Sequence, residues 1–128
     1  MTTDVDRPLR PLTEAERRVL AYLLDVNEPG AAALRAQLDS ARTPGYRAET
    51  AEFDLVVTGD VPLDTTGEAL FPTRTFVWEG DVPQGELLLW IRDGRMSCLE
   101  YGWISDDQPT DLPDPALLSH DPNPPAAG

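Results

Sequence analysis

The sequence predicts an α+β domain, with two N-terminal helices packed on one face of an antiparallel sheet of about four strands. Three observations carry that expectation. The spacing of apolar residues changes from a helical period of about 3.6 to a strand period of about 2 near residue 50. Thr13-Glu14-Ala15-Glu16 has the form of a helix capping box. Asp93-Gly94 lies between two apolar runs, as a tight hairpin requires.

The elements follow in order. Residues 1–11 read as a flexible arm ending at Pro11, and residues 12–118 as a single domain. The first helix begins after Thr13, buries Val19, Leu20, Leu23 and Leu24, and stops near Val26, ahead of Asn27-Glu28-Pro29-Gly30. Proline suits the first turn of a second helix, Ala31 to about Ala41, anchored by Leu34 and Leu38. Phe53, Leu55 and Val57 alternate with Glu52, Asp54 and Val56, giving a half-buried strand. Thr75 to Trp78 form a second, and Glu86–Arg92 with Arg95–Ile104 form a hairpin. Residues 119–128 read as a disordered, acidic and Pro-rich tail.

A two-residue turn at Asp93-Gly94 sets the hairpin register, with Ile91 opposite Met96 and Leu89 opposite Cys98. Leu87, Leu89, Ile91, Met96, Cys98 and Glu100 then share one face. Leu88, Trp90, Ser97, Leu99, Tyr101 and Trp103 share the other. Both faces are mostly apolar, whereas an antiparallel sheet usually keeps one face wet. The more aromatic face, with Trp90, Tyr101 and Trp103, is therefore the candidate binding surface. Core packing is the plainer alternative for the same three rings.

Charge bounds the partners. Residues 1–47 carry seven arginines and seven acids, whereas residues 48–128 carry three arginines and sixteen acids, so the whole net charge of −13 lies in the second part. Such a field disfavours free nucleic acid and anionic membranes and favours a basic protein surface. The absence of an apolar leader in MTTDVDRPLRP, and of any apolar run near the ~20 residues of a membrane span, leads to an expectation of a cytoplasmic protein. One cysteine and one histidine leave no zinc constellation and no nucleophile–histidine pair, so neither metal nor cofactor is expected. His120 lies in the tail, where folding back onto the domain is not expected.

Glu100 is the single acid expected to point into an apolar face, which makes it the one candidate general acid or base. A water-exposed or Arg74-paired carboxylate is the plainer reading. Asp106, Asp107, Asp111 and Asp114 lack the spacing and closing glutamate of a calcium loop and read as a solvated acidic segment. Asp106, Asp107 and Asp111 join the aromatics as candidates for binding a basic partner. Cys98 has no cation nearby to activate it.

Arg10-Pro11-Leu12-Thr13-Glu14-Ala15-Glu16, Pro29-Gly30-Ala31 with Leu34-Arg35-Ala36-Gln37, Leu88 to Glu100 through Asp93-Gly94-Arg95, and Asp107-Gln108-Pro109-Thr110-Asp111-Leu112-Pro113 form a recurring pattern. The chain resembles, over about residues 10–42 and 86–115, a group of short uncharacterised proteins from high-GC bacteria. Many members of that group carry Cys-Gly-Cys-Pro ahead of the first strand, where this chain has Tyr46-Arg47-Ala48-Glu49. The small acidic build is also similar to that of immunity proteins of bacterial toxin systems. The expected function is thus a non-enzymatic acidic module that binds a basic protein. The alternatives are a small-ligand-binding or modest hydrolytic domain with a pocket on the aromatic hairpin face, and a homodimer through that face.

Overall fold

A computed structural model describes residues 7–125. In chain order the elements are β1 (Arg10–Pro11), α1 (Glu14–Leu23), α2 (Ala31–Ala36), a 3-10 turn (Leu38–Ser40), β2 (Ala41–Thr43), β3 (Tyr46–Arg47), β4 (Glu52–Asp54), β5 (Val56–Val57), β6 (Thr75–Glu79), β7 (Val82–Arg92), β8 (Arg95–Trp103), a second 3-10 turn (Pro115–Leu117) and β9 (Leu118–Ser119). The class is α+β as expected, but the described residues hold two antiparallel sheets rather than one of four strands. One has the order β3-β4-β8-β7-β6-β9, the other β1-β2-β5. None of the described helices is long and apolar enough to cross a membrane.

The capping box forms as read. Thr13 Oγ1 accepts from the Glu16 N–H at 3.1 Å, and Glu16 Oε1 accepts from the Thr13 N–H at 2.9 Å. Arg10, in the segment read as a flexible arm, pairs with Thr43 in β1–β2 and grips both Glu16 oxygens at 2.9 Å. The remainder of that arm, residues 1–6, lies outside the described residues. The Arg10 guanidinium, ahead of the Thr13 backbone bond, holds the Glu16 carboxyl below its ordinary value. A lowered folded value means stabilisation that is present above about 4.5 and is lost as pH falls through the folded value. Glu16→Gln keeps the cap but drops the ion pair. We expect it to cost about 0.5–1 kcal/mol at neutral pH, with the gap to wild type closing in acid, as read by urea unfolding at both pH values. A gap that does not depend on pH would refute the pairing.

Both helices are shorter than expected. The carbonyl of Leu24, just past α1, accepts from the Arg35 guanidinium of α2, which closes the helix before Val26. Gly30 then turns with φ +92°, and a Cβ there would meet Asp64 Oδ1 at 2.5 Å. The helical path after α2 tightens at Gln37, a completely buried side chain. Its Nε2 donates to the carbonyls of Pro62 (2.8 Å) and Gly94 (2.9 Å), and its Oε1 accepts from the Met96 N–H (3.0 Å).

Phe53, Leu55 and Val57 all point into the core, as their alternation implies, but the run is shared between two sheets. Phe53 pairs with Leu99 of β8, and Val57 pairs with Ala41 of β2. The hairpin turn has the expected positive φ at Asp93 (53°) and Gly94 (77°). The register holds only as far as Ile91–Met96. It then shifts by one, so that Trp90 lies opposite Cys98, Leu89 opposite Leu99, Leu88 opposite Glu100 and Leu87 opposite Tyr101. Ser97 is the extra residue. Its carbonyl accepts from Leu55 N–H at 2.9 Å and its hydroxyl donates to Trp90 O at 3.2 Å. The bulge turns every later β8 side chain to the opposite face. Leu87, Leu89, Ile91, Met96, Leu99 and Tyr101 are buried beneath the helices, in one cluster with Leu20, Leu23 and Leu34.

The C-terminal segment also departs from expectation. Leu118 and Ser119 add to the edge of β6, with Leu118 fully inside the core. His120 folds back and stacks on Tyr22 with ring centroids 4.4 Å apart. Its Nε2 lies 2.8 Å from the Tyr22 carbonyl, so that nitrogen carries the proton, and its Nδ1 faces the Thr75 hydroxyl at 3.3 Å. Edge pairing and ring stacking thus hold Ser119 and His120, the first two residues of the expected tail, against the domain. Residues 126–128 of that tail lie outside the described residues.

All three tyrosines are held neutral by burial: Tyr22 and Tyr101 are raised, and Tyr46 is pushed to about 12, with Tyr101 and Asp111 adding to the effect of burial. Raised folded values mean stabilisation that is complete below pH 10 and lost as pH climbs toward about 12. An ultraviolet titration should show tyrosinate absorbance in the native protein delayed past pH 10, furthest for Tyr46, with alkaline unfolding accompanying its onset. Titration of even one tyrosine at its ordinary value would contradict this packing.

Candidate functional site

Two surface regions contain the residues singled out in the sequence. The first is the middle of the outer sheet face, opposite the helices. There the bulge brings Leu88, Trp90, Cys98 and Glu100 out beside Glu52 and Asp54 of β4. Glu100 therefore does not point into the core. Its Oε1 accepts from the Trp90 indole N–H at 3.0 Å, and Glu52 lies directly opposite on the neighbouring strand. Arg47 pairs with Asp54 in the same patch. Burial, followed by the Asp54 and Glu52 charges, pushes the Cys98 thiol up to about 12, which keeps it protonated at neutral pH.

The three aromatics do not make one platform. Trp90 is 37% exposed on the outer face, whereas Tyr101 is 7% exposed in the core. Trp103 stands at the sheet end opposite Gly85. Glu100 accepts from Trp90 and Asp54 has its arginine, while Glu100 and Glu52 keep their charges side by side.

The second region is the end of the sheet remote from the Asp93-Gly94 turn. A second bulge, at Gln84, shifts the β6–β7 register between Val77 and Trp78. Beside it Gly85 takes φ +147°, and a Cβ there would lie 2.3 Å from the Gly102 carbonyl. The two glycines floor a groove of about 380 Å³ walled by Phe76, Trp78, Pro83 and Ile104. Arg74 closes one rim, bonded to Glu86 at 2.9 Å and lying over the Phe76 ring at 4.8 Å. Across Pro83 and Ile104 lies a more polar concavity of about 580 Å³, lined by Glu79, Val82, Asp106 and Asp107. No described arginine pairs with these three carboxylates. Ile104 (69%) and Val82 (54%) are the most exposed large apolar side chains among the described residues.

Asp106 and Asp107, read from sequence as binding candidates, thus lie at this site, and Asp111 does not. Asp111 caps the N–H of Leu112 at 2.8 Å and faces Tyr46. Glu79, Phe76, Ile104 and the two floor glycines were not singled out from sequence. Gly102, a glycine inside a predicted strand, was the available signal, since such a glycine marks close backbone approach; Gly85 fell in a predicted connection. Glu100 is not part of the groove wall. Among the described residues no three His, Cys, Asp or Glu side chains converge in a metal-holding group.

The chain matches no protein-family model, no curated protein and no solved structure.

Proposed function

We propose that this chain is a non-enzymatic interaction module of the cytoplasm that binds a basic protein, in the manner of a toxin-neutralising immunity protein. The observation that carries this reading is the acidic concavity: Glu79, Asp106 and Asp107 are gathered without a described arginine beside the exposed side chains of Val82 and Ile104. Exposed apolar side chains rimmed by charge of one sign supply contact area and steering together. Carboxylates within about 10 Å of one another act on an approaching cation as one field at ordinary salt.

The test compares the intact chain with a Glu79→Gln, Asp106→Asn, Asp107→Asn variant as bait in lysate at low ionic strength. A basic protein should be retained by the wild type, reduced at least about tenfold by the variant, and released at about 0.5 M salt. Recovery of no basic protein at low ionic strength would overturn the reading. A dimer seen by light scattering at micromolar concentration, dissociating in the same variant, would assign the surface to a second copy instead.

A further inference from the structure

We propose that the glycine-floored groove is the specificity pocket of this surface. It would take an aliphatic or aromatic side chain from the partner, while a lysine or arginine next to that residue reaches across Ile104 to Glu79, Asp106 and Asp107. This rests on the interaction reading above and names the chemistry of the segment recognised.

Gly102 supplies the first observation. Gly85 is demanded by the fold, since its φ is positive and a Cβ would strike backbone. Gly102 is not. Its φ is not in the left-handed region, and a Cβ there would meet Glu86 O at 3.6 Å and Leu88 Cδ1 at 3.8 Å, ordinary contact distances. Glycine inside a strand weakens it. Contact distances therefore do not demand glycine at 102, whereas the groove benefits from it: Gly102 lines the groove, and a side chain there would take up part of its volume.

Polarity supplies the second. The groove walls are apolar, and among the described residues the only charges on its lining, Arg74 and Glu86, neutralise each other. The adjoining concavity across the Pro83–Ile104 ridge is acidic, with its carboxylates unpaired by any described arginine. An apolar group thus fits on one side of Ile104 and a cation on the other. Neighbouring residues of one peptide segment meet both demands, and free nucleic acid or an anionic surface meets neither.

The experiment is an amide chemical-shift titration of the full chain with three capped dipeptides, acetyl-Leu-Arg-amide, acetyl-Leu-Glu-amide and acetyl-Gly-Arg-amide. Acetyl-Leu-Arg-amide should shift the Gly85, Gly102, Ile104, Asp106 and Asp107 amides saturably. The other two should bind at least about tenfold more weakly, each lacking one of the two contacts. Gly102→Val should abolish the shifts with its melting temperature no lower than wild type. Ile104→Ser, at a side chain exposed enough to leave the fold intact, should weaken them at least about fivefold. Equal binding of all three dipeptides, shifts centred on Trp90 and Glu100, or undiminished binding by Gly102→Val would each overturn the groove assignment. If the basic partner is retained by wild type and by Gly102→Val alike, the groove assignment fails and the interaction reading stands. If no basic protein is retained at all, the interaction reading itself fails.

Discussion

Gln37→Leu should lower the stability of this domain by about 3–5 kcal/mol, a large part of the roughly 5–15 kcal/mol that holds such a domain folded. Leucine fills the space but makes none of the three bonds. The Pro62 carbonyl and the Met96 N–H then lose their Gln37 partner, while the Gly94 carbonyl keeps the Asp64 N–H at 2.9 Å. The Met96 N–H is buried and costs about 1–3 kcal/mol when left unpaired, beyond the three bonds themselves, whereas the Pro62 carbonyl belongs to an exposed residue that water can reach. The damage falls where α2, the 59–64 loop and the hairpin turn meet, so the hairpin should loosen from its tip. Gln37→Glu is the sharper variant. A carboxylate in that place faces two carbonyl oxygens, so the protonated form is favoured and its folded pKa lies above the unfolded one. Its stability relative to wild type should therefore be best below the ordinary carboxyl range and worsen as pH rises. Urea unfolding at pH 4 and pH 7, each about one side of that titration, reads both effects. A Gln37→Leu protein within about 1 kcal/mol of wild type would refute the account.

Gly85→Ala should cost about 3 kcal/mol or more. Two penalties add there. Alanine resists φ +147°, and its Cβ would be driven to 2.3 Å from the Gly102 carbonyl and 2.8 Å from Trp103 Cα. Both clashing atoms are backbone of the paired strand, so relief requires the β7–β8 ladder to part. Gly80 is the internal comparison. It has φ +63° with nothing within 4 Å of a Cβ, so Gly80→Ala should cost only the left-handed preference, about 1 kcal/mol. Thermal unfolding of the pair reads the difference. Equal losses at the two positions would show that the close approach of β7 and β8 is not what demands glycine.

The bulge at Ser97 shows where reading the sequence stops and what decides beyond it. The turn chemistry of Asp93-Gly94 is local and was legible, as was the pairing next to it. Two registers were then open. The unbulged one buries Cys98 and Glu100, and the bulged one buries Leu99 and Tyr101. Burying a leucine is worth roughly 1.5–3 kcal/mol, and sinking an unpaired carboxylate costs several. Glu100 at an inward position was therefore evidence for a bulge. The unbulged register places Glu100 inward and sets Tyr101 on one face with Trp90, whereas the bulge brings Glu100 to the outer face and sends Tyr101 into the core.

The candidate site was legible in part. Asp106 and Asp107 were found because acids without nearby arginines stand out along a chain. Their partner Glu79 is the last residue of β6, far away in sequence, and it meets them only because β6, β7 and β8 end together. The groove depends on the bulge at Gln84, which no local pattern reports, and on the close approach of β7 and β8 at Gly85, of which the strand glycine Gly102 is only an indirect sign.

The sequence by itself determined the features whose physics spans a few residues. These are the Thr13 cap with its Glu16 return bond, the two-residue turn at Asp93-Gly94, the inward alternation of Phe53, Leu55 and Val57, and the concentration of charge after residue 47. The tertiary structure alone decided how that alternating run divides between two sheets and which face Glu100 occupies. It also decided that Leu118 closes the β6 edge while His120 folds onto Tyr22, and that an apolar groove lies next to carboxylates that no described arginine pairs. The reason is the range of the forces. Caps and turns are settled by hydrogen bonds between near neighbours, whereas register, edge closure and surface shape follow from which arrangement of the whole chain buries the most apolar area without stranding a polar group.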